Sequence, residues 1–442
     1  MKTAFCILGL LSLAYVAEPA LDAALRQVIN HHQITPMVKP AVDSNKAVLG
    51  QKLFFDKILS GNKDISCATC HHPAFGSSDE LVLPIGVGGT GLGPQRQIGY
   101  GREHIPRNSP EVFNRGAAEW HTMFWDSRVS GTVDSGFDTP ANEKLPTGFD
   151  NILAVQAMFP VTSRDEMRGE IGDTDVFGQE NELALISPAA PQSIWLALMD
   201  RLLAIPEYVD LFRAAYPDVP VDELGFQHAA NAIAAFEIDA FTFLDSPWDN
   251  YLRGDDTALT EQQKRGAVLF FGKANCASCH SGNLMTDQEH HNIGIPQFGP
   301  GKDDAAPLDV GRYAETGADT DKFAFRTPPL RNVAVTAPYM HNGAYEDLRD
   351  AVVHHLDPVA ALQAYRAEQI PEALRPFYHN EKQVVEKVLA SLDPQLRNPT
   401  ALTEAEIDDL VAFLSALTDN SIYRVAESLI DSVPSGLPVD QQ

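Results

Sequence analysis

The sequence has little positive charge. Its 442 residues carry 33 Lys and Arg against 60 Asp and Glu, a formal net charge of −27. Such a chain repels phosphate backbones, so nucleic acid is excluded as an expected partner. Long apolar runs are missing too. After the N-terminus no stretch of about 18 apolar residues occurs, and no membrane-spanning helix is expected. Cysteine is scarce, at 5 in the whole chain. What remains, 44% hydrophobic and 21% charged, is the composition of a globular protein. The length suits two or three domains of about 150 residues.

The N-terminus stands apart. Lys2 precedes an apolar run over residues 4–16, with small residues at Ser12, Ala14 and Ala17. That is the pattern of an export signal over residues 1–17, with Cys6 inside it, and it predicts a periplasmic protein. The other four cysteines would by default form two disulfides in an exported chain. Their spacing argues otherwise. Cys67-Ala68-Thr69-Cys70-His71 and Cys276-Ala277-Ser278-Cys279-His280 are both Cys-x-x-Cys-His pentads. This is the attachment signature of c-type haem: two thioethers fix the porphyrin and the adjacent His binds iron. Two covalently bound haems are expected. A Cys/His zinc site and a redox dithiol are the competing readings.

Around each pentad the pattern is helical. Residues 47–56 precede the first. Thr260 with Gln263 reads as a helix start before the second, and Thr403 with Glu406 repeats that start before an amphipathic helix over 407–417. Further helices are expected at 193–214 and 221–244. The pentads lie 209 residues apart (276 minus 67), so they belong to separate domains, 41–255 and 256–420, followed by a tail at 421–442. Pro247, Gly254 and neighbouring Asp residues interrupt the helices near the boundary. The Gly-rich loop 86–101 can approach a cofactor closely. Loops 127–148 and 296–321 read as surface insertions. The fold class is mainly α: two cytochrome c-like haem domains with long loops and little β.

Six blocks in order resemble the bacterial di-haem cytochrome c peroxidase superfamily, which includes the MauG-type protein-modifying enzymes. They are Leu53-Phe54-Phe55-Asp56, Leu59-Ser60, Asn108-Ser109-Pro110, Phe124-Trp125-Asp126-Ser127-Arg128, Phe325 to Asn332, and Thr336 to Gly343. The resemblance covers residues 40–420. It implies an oxidoreductase of the cytochrome-c peroxidase type that reduces hydrogen peroxide at the N-terminal haem. Electrons would come from a small donor protein, a cytochrome c or a cupredoxin, through the C-terminal haem. The MauG-type alternative oxidises Trp or Tyr of a protein substrate. A homodimer is among the assemblies the resemblance allows.

The resemblance also implies residue roles. Gln156 and Glu166 are placed above the first haem, with Glu166 as acid/base. Trp125 relays electrons between the haems. One calcium ion lies between the domains on Asn108, Thr336 and Pro338, whose oxygen donors suit a hard cation. His71 and His280 are the proximal iron ligands. Simple peroxidases carry a loop His that ligates the first iron at rest, and Val87 stands at that position, so this iron is expected to be five-coordinate. His72, His104 and His121 lie near in sequence. The sixth ligand of the second iron, Met or Tyr in the family, falls on His355, with His354 as its rival and Met340 further off.

Overall fold

A computed structural model describes residues 18–441. The export signal at 1–17, with Cys6, lies outside the described residues. Among the described residues the architecture is mainly helical, with three small antiparallel sheets. Two helix pairs organise it. In the first, Ser44–Phe55 crosses Phe226–Ala240. Asp43 starts the former helix by accepting from the Asn45 and Lys46 N–H groups. Gly50 sits at the crossing, where an added Cβ would lie 1.8 Å from the Ala232 carbonyl oxygen. Only a residue without a side chain lets the backbones meet there. In the second pair, Glu261–Phe271 crosses Glu404–Ser415, and a Cβ on Gly266 would lie 1.9 Å from the Asp409 carbonyl oxygen. The two starts read from sequence close as capping boxes, Thr260 with Gln263 and Thr403 with Glu406.

Each pair holds its own core. The first contains Leu53, Phe54, Phe236 and Phe241; the second contains Trp248, Phe270 and Phe413. Residues 193–214 divide into Pro191–Leu203 and Pro206–Ala215, because Pro206 cannot continue the first helix. The chain changes cores before the expected 255/256 division. The short helix Pro247–Leu252 already packs Trp248 and Tyr251 into the second core.

The termini cross over. The helix Glu18–His31 packs on the second domain, where Lys264 pairs with Asp22 at 2.8 Å and Leu25 and Ile29 are buried. The segment expected to be a tail instead straps the first domain. Ile422, Val425 and Val433 enter the first core. Ser435 donates to Asp56 at 2.6 Å, and Asp440 accepts from Thr69 inside the first pentad and pairs with Lys57, both at 2.5 Å. Its polar composition hides apolar residues spaced to meet that surface.

Loop 296–321 also departs from expectation. Residues 300–303 and Glu315 line the cavity of the first domain instead of lying free on the surface. No helix among the described residues is long and apolar enough to cross a membrane.

Candidate haem sites and peroxide cavity

The two pentads fold alike at one point. The N–H of His71 donates to the Cys67 carbonyl and that of His280 to the Cys276 carbonyl, both at 2.9 Å. This bond brings each His back beneath its pair of cysteines. All four cysteines are free of disulfides. Burial pushes the Cys67 and Cys276 thiols up to about 12 and raises Cys70 as well. Burial thus favours the neutral form at Cys67, Cys70 and Cys276, while Cys279 lies with Asp287 and His291, their ligand atoms within 4.8 Å of one another.

The histidines share a second feature. His71 directs Nδ1 at the Ser77 carbonyl (3.2 Å) and His280 at that of Met285 (3.2 Å). Burial lowers both to about 4. A neutral imidazole whose Nδ1–H is spent on a carbonyl presents Nε2 as a lone-pair donor. His355, on the helix Leu348–Leu356, does the same with the Ala351 carbonyl at 2.7 Å. Its ring lies 6.3 Å from that of His280, centroid to centroid. His354 has both nitrogens engaged, Nδ1 with the Tyr345 hydroxyl at 2.8 Å and Nε2 with the Ile293 carbonyl at 2.7 Å.

A cavity of about 580 Å³ opens on the first pentad. Cys67, Cys70 and His71 line it together with Gln156, Glu166 and Trp125. The volume, two neutral thiols and a lone-pair imidazole on one wall fit a covalently held haem. Gln156 ends the helix Ile152–Gln156, capped by Asn151. Glu166 lies on the π-helical turn Arg164–Arg168, capped by Ser163, an irregularity frequent at functional sites. Burial raises the Glu166 carboxyl; the charges of Arg128 and Lys302 oppose that, while Asp165 and Asp126 add to it. Glu237 lines the cavity too. Its Oε2 is buried without a partner, and burial pushes the group up to about 8.

Val87 does not enter this cavity. It is buried in the first core, and its N–H donates to the Asp165 and Glu166 carbonyls at 3.2 and 3.0 Å. Of the three neighbouring histidines, His104 lines the cavity with Nδ1 on the Leu83 carbonyl at 3.3 Å. His121 lies on the surface, and His72 is buried with Nδ1 accepting from the Ala74 N–H.

Trp125 joins the domains. Its Nε1 donates to the Asn108 carbonyl at 3.0 Å, its carbonyl accepts from the Arg326 N–H at 2.8 Å, and its ring meets His341 edge-on at 6.5 Å. Asn108 reaches the loop after Pro338: its N–H donates to the His341 carbonyl at 2.8 Å and its Nδ2 to the Leu81 carbonyl at 2.9 Å. Thr336 spends its hydroxyl on the Val333 carbonyl. Lys302, Asp303 and Glu315 escaped the sequence reading, because nothing near them marks a site. Arg128 stood at the end of a matched block without a role.

Two pentads of this geometry, each in its own helical domain, define a di-haem c-type protein. The family model for di-haem cytochrome c peroxidase matches residues 44–257. The chain is 35% identical to the cytochrome c551 peroxidase of Pseudomonas aeruginosa over 72% of its own length and 74% of that protein's. To the methylamine utilization protein MauG of Methylorubrum extorquens it is 29% identical, over 87% and 86%. A solved MauG-like protein associated with microbial copper homeostasis superposes with a TM-score of 0.58 at 27% identity, covering 88% of this chain and 94% of the other. The protein belongs to the di-haem cytochrome c peroxidase and MauG family of oxidoreductases, and it carries two haem groups.

Proposed function

We propose that the protein is a periplasmic peroxidase that reduces hydrogen peroxide to water at the first haem site, with electrons entering through the second. The observation that carries this reading is the single cavity shared by Cys67, Cys70 and His71 with Gln156 and Glu166. When bound, the haem supplies an iron position at which the O–O bond of peroxide breaks. Reduction of one peroxide consumes two electrons and two protons and releases two waters. Glu166 takes the proton from the inner peroxide oxygen and returns it to the outer one, which leaves as water. Gln156 donates a hydrogen bond that holds the peroxide beside that carboxylate. The ring of Trp125, anchored on both domains, lies on the electron path.

His355 is proposed as the second ligand of the second iron. The two rings lie 6.3 Å apart between centroids, so His280 and His355 would hold one iron between them and supply it with two imidazole donors. His354 has no nitrogen free for that role. Val87, packed in the core, supports a first iron that is open at rest. Asn108 and the carbonyls of Thr336 and Pro338 are proposed to hold one calcium ion. The side-chain nitrogen of Asn108 is spent on Leu81, so its oxygen is the end available to a cation.

The alternative reading is oxidation of Trp or Tyr residues in a partner protein, as in MauG-type enzymes. The pairing of His355 with His280, where simple peroxidases have Met, favours it. Steady-state peroxide reduction with reduced cytochrome c, beside mass spectrometry of co-purified proteins, separates the two. Rapid turnover without modified partners supports peroxidase. Negligible turnover with oxidised Trp or Tyr in a partner supports the alternative.

A further inference from the structure

The second domain supplies part of the first domain's cavity. Residues 300–303 and Glu315 line the same space as Gln156 and Glu166. Their loop is pinned at its base. Arg107 of the first domain donates to both carboxylate oxygens of Asp309, at 2.6 and 2.8 Å. Arg312 donates to the Asp126 and Ser127 carbonyls at 2.7 and 2.8 Å. Lys302 is thereby held at the cavity with its side chain 18% exposed, 2.5 Å from Asp303 and 4.0 Å from Asp126.

The charges that act most on the Glu166 carboxyl are the cations Arg128 and Lys302 and the anions Asp165 and Asp126; Asp303 and Glu315, and on the first-domain side Arg107, Glu111, Arg115 and Glu237, with Arg326, line the same cavity. Arg128 is largely committed: it donates to both oxygens of Asp126 at 3.1 and 3.2 Å and lies 3.6 Å over the Phe124 ring. The close partner of Lys302, Asp303, has a side chain 62% exposed, so water screens that pair. Arg128 belongs to the first domain, so Lys302 is the cation that the second domain contributes to this wall of the cavity. An opposite charge favours the ionised form of a carboxyl, and burial opposes it.

We propose that Lys302 is a positioning residue for the chemistry of the other domain: its ammonium keeps Glu166 in the proton-accepting form, so the second domain completes the acid–base apparatus of the first. This rests on the reading of Glu166 given above. If the loop withdrew, Glu166 would hold its proton and peroxide could not pass one to it.

The test uses the holoenzyme with both haems. In Lys302→Met the acidic limb of kcat/KM for peroxide should move up by about one pH unit, with the rate above the limb unchanged. Lys302→Arg should restore the wild-type limb. A second readout needs no turnover. Fluoride, titrated optically into the oxidised protein, binds iron best when a protonated neighbour donates to it. The pH at which its affinity breaks should shift upward in Lys302→Met by the same amount. A limb and a fluoride break that stay in place, or a rate lost equally at every pH, overturn the proposal. Glu166→Gln separates the two readings. If the wild-type limb survives in that variant, Glu166 is not the acid/base. If it vanishes there yet Lys302→Met leaves it unmoved, only the role of Lys302 falls.

Discussion

Three histidines, His71, His280 and His355, spend Nδ1 on main-chain carbonyls and leave Nε2 free. Removing the imidazole of His355 should open the second iron without touching the first. In His355→Ala, magnetic resonance of the oxidised protein should show the low-spin signal replaced by a high-spin or weakly ligated one. The wild type should show one high-spin and one low-spin haem. Two low-spin haems at rest would instead point to His104, which lines the first cavity. Glu166 makes the second prediction at this scale. Glu166→Gln should keep both haems and slow peroxide turnover by about 10²-fold or more, the usual size of a lost acid/base. Burial holds this carboxyl above its ordinary range. Its base form is therefore present at high pH and lost as pH falls through that raised value. The wild-type rate should decline on the acid side, above the ordinary glutamate range, and the limb should be absent in the variant.

At the scale of elements, each domain depends on a helix crossing closed around one glycine. A Cβ at Gly50 or Gly266 would press on a carbonyl oxygen of the partner helix. Neither backbone can yield without parting the pair, so Gly266→Ala should cost about 1–3 kcal/mol. Thermal unfolding followed at each haem's own absorption should show the second domain melting earlier while the first changes little. Gly50→Ala should do the reverse. These elements were largely legible in the sequence, because caps and apolar spacing are local: Thr260 with Gln263 and Thr403 with Glu406 bond as their positions suggested. Other features were not. Asp440 meets Thr69 from 371 positions away, and Lys302 reaches a cavity built by the other domain. No periodicity near Lys302 or Asp440 records such a contact. The pentads could be read because attachment chemistry fixes their spacing, and Gln156 and Glu166, expected from the family's spacing, line one cavity with the first of them. The presence of Lys302 in that cavity could not, since a lysine in a polar loop looks like any other.

For the whole molecule, both pentads are complete, with cysteines free of disulfides and a buried His whose Nδ1 is spent on a main-chain carbonyl. The intact mass of the mature chain should exceed that of its polypeptide by two haems. A mass with one haem would remove the electron route from the proposed mechanism. The domains are also laced together by the ends of the chain. The helix Glu18–His31 is buried on the second domain, while Ile422 to Asp440 lie on the first. Synthesis runs in one direction, so residues 422–440 reach the first domain only after the second domain has been made. Asp440 bonds Thr69 between Cys67 and Cys70. It follows that the first attachment turn stays uncovered by this segment until the second domain has been made.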